Sequence, residues 1–90
     1  MKLIQTIEKL ERLDILIWLQ ITGKPRELAR KLGISQSTLY LLLNLAKKLG
    51  AQITYNPSSC TYQYTKPMRF IAGFFEVQDE PLKKKQEGTE

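Results

Sequence analysis

Along Gln36–Leu49, at about 100° per residue, Gln36, Ser37, Tyr40, Leu41, Asn44, Lys47 and Lys48 fall on one side. Leu39, Leu42, Ala46 and Leu49 fall on the other. The first set is amides, hydroxyls, two cations and a single leucine, groups that form hydrogen bonds and attract anions rather than break covalent bonds. The rest of the chain adds no catalytic chemistry. It holds no histidine and one cysteine, Cys60, which excludes histidine-based acid/base catalysis, the usual zinc ligand sets and an intramolecular disulfide. Ser37 and Thr38 have no histidine to activate them, so no nucleophile is arguable. Cys60, in a turn, reads as an incidental thiol. The expectation is a non-enzymatic binding protein without metal or cofactor.

The charge points to the kind of partner. Fourteen Lys and Arg stand against nine Asp and Glu, for a net +5. Residues 1–22 sum to zero. Residues 24–69 hold eight cations (Lys24, Arg26, Arg30, Lys31, Lys47, Lys48, Lys66, Arg69) against Glu27 alone, and residues 70–90 hold three lysines against five acids. A positive field confined to the middle of the chain favours a polyanion. Its runs of apolar residues, such as Ile15–Leu19, are far shorter than the ~20 residues a membrane helix needs. The first residues lead into a charged amphipathic pattern without a signal-peptide cleavage site. A cytoplasmic protein is expected, with no membrane partner. With 90 residues there is room for one domain, and so no small-molecule effector is expected.

The elements that must position these residues follow from periodicity. Leu3, Ile7, Leu10, Leu13, Ile17 and Ile21 recur at spacings of three and four, predicting one helix over the first 22 residues, with Glu8 and Arg12 as an i,i+4 pair and Asp14 among the polar positions. Thr22-Gly23-Lys24-Pro25 ends it and opens a second helix carrying Leu28, Ala29 and Leu32 on its inner face. Gly33-Ile34-Ser35 is a tight turn, with Ser35 placed as N-cap of a third helix over Gln36–Leu49, stopped by Gly50. The period then becomes two: Ala51, Ile53, Tyr55 and Cys60, Tyr62, Tyr64 alternate with polar residues on either side of Asn56-Pro57-Ser58-Ser59. That is a β-hairpin, its tyrosines forming the hydrophobic face. Residues 67–78 predict a third strand or a docking arm, and residues 79–90, with Lys83-Lys84-Lys85, a disordered tail.

This order of elements, in residues 1–66, is that of a three-helix winged helix-turn-helix: mainly α with a β-hairpin. Pro25-Arg26-Glu27-Leu28-Ala29-Arg30-Lys31-Leu32-Gly33-Ile34-Ser35 resembles the P-x-E-L-A-x-x-L-G-[IV]-S turn of small bacterial winged helix-turn-helix regulators. Ser35-Gln36-Ser37-Thr38-Leu39-Tyr40 is similar to the start of their recognition helix, and Lys48–Tyr55 and Tyr62–Tyr64 to the helix end and the wing. The resemblance implies a DNA-binding transcriptional regulator with double-stranded DNA as partner.

If the third helix enters a major groove, Gln36, Ser37, Tyr40, Leu41 and Asn44 are the candidates for base edges: glutamine and asparagine can contact adenine bidentately, and Leu41 can meet only a thymine methyl. Arg26, Arg30, Lys31, Lys47 and Lys48 are the candidate phosphate contacts, with Ser35 at a helix N-terminus that suits an anion. The hairpin over residues 51–65 carries no basic residue. The alternative reading is a winged-helix module that binds a protein through Tyr40, Leu41 and the basic rim. A homodimer is expected, built from the first helix with or without residues 69–77; the competing account folds residues 70–77 back over the chain's own first helix in a monomer. Leu3, Ile4, Ile7 and Leu10 near the free end of the first helix, and Phe70, Ile71, Phe74, Phe75 and Val77 after the hairpin, exceed what so short a domain can bury.

Overall fold

The computed structural model describes residues 2–77; the tail expected over 79–90 lies outside them. Three helices, α1 (Leu3–Trp18), α2 (Pro25–Leu32) and α3 (Gln36–Lys48), precede an antiparallel hairpin, β1 (Ile53–Asn56) and β2 (Thr61–Tyr64). Ile53 lies opposite Tyr64 and Tyr55 opposite Tyr62, so the apolar face predicted from alternation is the one turned to the helices. This is the winged helix-turn-helix arrangement. Leu10, Leu13 and Ile17 of α1, Leu28, Ala29 and Leu32 of α2, and Leu39, Leu42, Leu43 and Ala46 of α3 meet in one core that Tyr62 closes from the hairpin side.

All three helices stop by the same device. In α1 the Gln20 N–H donates to the Ile17 carbonyl and the Ile21 N–H to that of Leu16; in α2 Gly33 and Ile34 bond to Arg30 and Ala29; in α3 Gly50 and Ala51 bond to Lys47 and Ala46. Each is a Schellman closure, which requires one residue in the left-handed region. Gly33 (φ 69°) and Gly50 (φ 108°) fill that position at little cost, but in α1 it is Gln20 at φ 57°. The first helix therefore ends at Trp18 rather than running through Thr22. The apolar period continued to Ile21 because Ile21 follows the cap, where it is half exposed.

Other positions differ from the periodic reading. Asp14 is buried, 3% exposed, and Arg12 donates to the Lys31 carbonyl instead of pairing with Glu8. Leu49 caps α3 and is 61% exposed, its place on the inner face taken by Leu43. The strands begin at Ile53 and Thr61, so Ala51 and Cys60 lie outside them, Cys60 at φ 53° in the turn. Residues 67–77 form no strand; they leave the hairpin as an arm whose Phe70 packs against the core. Among the described residues no helix is long and apolar enough to cross a membrane.

Candidate nucleic-acid interface

The outer face of α3 is assembled by its N-cap. The Thr38 N–H donates to Ser35 Oγ (3.1 Å), and the Ser35 hydroxyl donates to Thr38 Oγ1 (3.0 Å). Ser35 thus spends its proton within the helix, and what remains to meet an anion is the backbone: the N–H groups of Gln36 and Ser37, the first two of the helix, at the positive end of its dipole. Because α3 buries Leu39, Leu42, Leu43 and Ala46, geometry forces Gln36, Ser37, Tyr40, Leu41 and Asn44 outward together. All five are exposed, Leu41 at 69%. Lys47 and Lys48 continue that face in the last turn, where a cation also suits the helix dipole.

The phosphate candidates divide. Arg26 and Arg30 lie four residues apart on the exposed side of α2, so both guanidinium groups share one face. Lys31 is exposed as well, and its ammonium donates one bond to the Ile21 carbonyl in the loop after α1. Glu27, the one acid between residues 24 and 69, accepts from the Lys24 N–H at 2.8 Å and caps α2. A Cβ at Gly23 would stand 2.6 Å from that carboxylate, so glycine at φ 75° is what lets the cap form.

The hairpin tip is neutral. Asn56 Oδ1 accepts from the N–H groups of Ser58 (2.9 Å) and Ser59 (3.4 Å), folding Pro57–Cys60 into an Asx turn with Pro57, Ser58 and Ser59 exposed. Its tyrosines face inward. Tyr55 and Tyr62 pack edge-on at 4.9 Å, and burial, first of all, raises the pKa of both phenols. Tyr62 is buried, and Tyr55 and Tyr64 are half-buried against the core.

Two contacts that the sequence did not disclose fix where the hairpin sits. Thr22 and Thr61 lock the loop after α1 to the start of β2: the Thr22 N–H donates to Thr61 Oγ1 (3.2 Å) and the Tyr62 N–H to Thr22 Oγ1 (2.8 Å). On the other side, buried Asp14 accepts from the Tyr64 hydroxyl (2.7 Å) and from Arg69 Nε (2.9 Å), while the Arg69 guanidinium lies 5.1 Å from the centre of the Trp18 ring. Burial and the Asp14 bond together push the Tyr64 phenol well above its ordinary value. Asp14 was detectable in principle, since it stands four residues after Leu10 and three before Ile17, both core positions. Arg69 and the threonines carried no comparable signal.

Among the described residues no group of His, Cys, Asp and Glu could hold a metal. Compared with known proteins, this chain matches no protein-family model, no curated protein and no solved structure.

Proposed function

We propose that the protein binds double-stranded DNA by laying the outer face of α3 in the major groove, and that it acts as a transcriptional regulator. The observation that carries this reading is the convergence on one exposed surface of an amide-rich helix face with Lys47 and Lys48 at one end and a free helix N-terminus at the other. Arg26 and Arg30, exposed together on α2, would add two further cations. The cations and the Gln36 and Ser37 amides would hold phosphates and set position, while Gln36, Asn44 and Tyr40 would meet base edges. The neutral hairpin tip would offer only hydroxyls and amides to the backbone. Binding then depends on few charges and on the groove contacts of α3.

A random pool of duplexes, selected for binding at low salt and sequenced, tests the proposal. Enrichment of a short motif supports it, and failure to retain any duplex rejects it. A second reading rests on the exposure of Leu41 beside Tyr40: a protein partner would seat those two side chains. A complex anchored that way survives salt that dissolves a phosphate-based one.

A further inference from the structure

We propose that residues 71–77 are a dimerisation arm whose Phe74 and Phe75 seat in the apolar cavity of a second copy of this chain, each copy giving its arm to the other. The arm is pinned at its root. Arg69 is held by buried Asp14 and by the Trp18 ring, and Phe70 packs on the core. Beyond that anchor Ile71, Phe74, Phe75 and Val77 are 74%, 108%, 74% and 65% exposed, without regular structure. A run of large apolar side chains left bare on a small chain marks an interface.

The seat lies on the same molecule. An open cavity of about 220 Å³ sits between α1, the end of α3 and the start of the hairpin, walled by Leu10, Leu13, Ala46, Leu49, Ala51 and Ile53. An apolar cavity of about 150 Å³ already accommodates a benzene molecule, so a phenylalanine ring fits here. Met68 and Phe70 close one wall, and the chain then carries Phe74 outward through Gly73 at φ 106° to full exposure. From Phe70 to Phe75 an extended chain spans about 16 Å, enough to cross to a neighbour.

The area argues for a second copy as occupant. Ile71, Phe74, Phe75 and Val77, at 74%, 108%, 74% and 65% exposure, leave roughly 600 Å² open, most of the ~800 Å² that one partner contributes to a stable interface of standard size. Knob and hole stand on one chain, and when two copies exchange arms mutually the contact closes as a two-fold dimer; one-way seating would build larger species, which sedimentation distinguishes. This inference does not depend on the DNA-binding reading, and its test contains no DNA.

Sedimentation equilibrium of the full chain at micromolar concentrations should give twice the 10.4 kDa chain mass. The double variant Phe74→Ser/Phe75→Ser should raise the dissociation constant roughly 100-fold or more, with the far-UV circular dichroism unchanged. Ala51→Phe fills the cavity and should weaken the dimer from the other side; should it disturb folding, Leu49→Asp at the exposed rim replaces it. Mixing arm and cavity variants should restore a heterodimer of intermediate strength, because one arm and one cavity remain intact between them. A mass of 10.4 kDa at every concentration overturns the proposal, as does a dimer indifferent to the arm variant. A dimer broken by the arm variant but indifferent to both cavity variants overturns the seat.

Discussion

Thr22 and Thr61, 39 positions apart, bring their hydroxyl oxygens to 3.0 Å where neither side chain meets water. Each also accepts from a backbone N–H of the other's segment, Thr61 from Thr22 and Thr22 from Tyr62. Four polar groups are satisfied at once, and the hairpin is fixed against the α1–α2 loop by groups that cannot slide past each other. Thr22→Val keeps the shape but strips the acceptor from the Tyr62 amide. An unpaired buried donor costs about 1–3 kcal/mol. Urea denaturation should show a loss in that range, with a Tm drop on the order of 10 °C, whereas Thr22→Ser should lose clearly less.

Asp14 is the second anchor, and its two partners differ in exposure. Arg69 is 45% exposed at its side chain while Asp14 is 3% exposed, so solvent screens the arginine's share. Arg69→Ala should cost about 1–2 kcal/mol, from a buried carboxylate left with one donor fewer and from the lost cation–π contact with Trp18. Arg69→Lys should recover only part, because an ammonium does not reproduce the Nε–H geometry. Trp18 fluorescence should change in both variants, and an unchanged spectrum would argue against the cation–π contact.

The Tyr64 phenol makes stability sensitive to alkali. Its folded pKa lies above the ordinary value of 10.0, raised chiefly by burial and then by the bond to Asp14. Below pH 10 the phenol is neutral in both the folded and the unfolded chain. Above it the unfolded chain ionises first, so the folded state binds more protons and loses stability as pH rises. Denaturation midpoints followed from pH 8 to about pH 11 should fall beyond about pH 10. Tyr64→Phe, less stable at neutral pH, should show a shallower decline.

The sequence disclosed the elements because each had a local signature: Pro25 at the start of α2, Ser35 as the cap of α3, Gly33 and Gly50 at helix ends, and a period of two in the hairpin. It misplaced the end of α1 because a glutamine occupies the left-handed cap position there, and side-chain identity gave no warning of it. At the candidate interface, helical spacing alone put Gln36, Ser37, Tyr40, Leu41 and Asn44 on one exposed face. The bond from Lys31 to the Ile21 carbonyl was not legible in helical spacing, since Ile21 belongs to another element. Thr22, Thr61 and Arg69 could not be found either, their partners lying 39 to 55 positions away.

Changing Arg26, Arg30, Lys47 and Lys48 to alanine together should weaken binding to every duplex alike. It should also flatten the log–log salt dependence by about 0.9 for each phosphate contact removed. Gln36→Ala or Asn44→Ala should instead change the preference among duplexes by about 1–3 kcal/mol at one base pair, with the salt slope kept. Fluorescence anisotropy against salt, on a selected duplex and a scrambled one, separates the two effects.

The claim that α3 is the reading surface is tested most directly by amide chemical-shift mapping of the full chain during titration with a short duplex at low salt. The expected result is a contiguous set of shifts at Gln36, Ser37, Tyr40, Leu41 and Asn44 and at Lys47 and Lys48, extending to Arg26, Arg30 and the Ser58–Ser59 tip, with α1 undisturbed. No shift at saturating duplex, or shifts confined to α1 and residues 70–77 while the α3 amides stay in place, would contradict it.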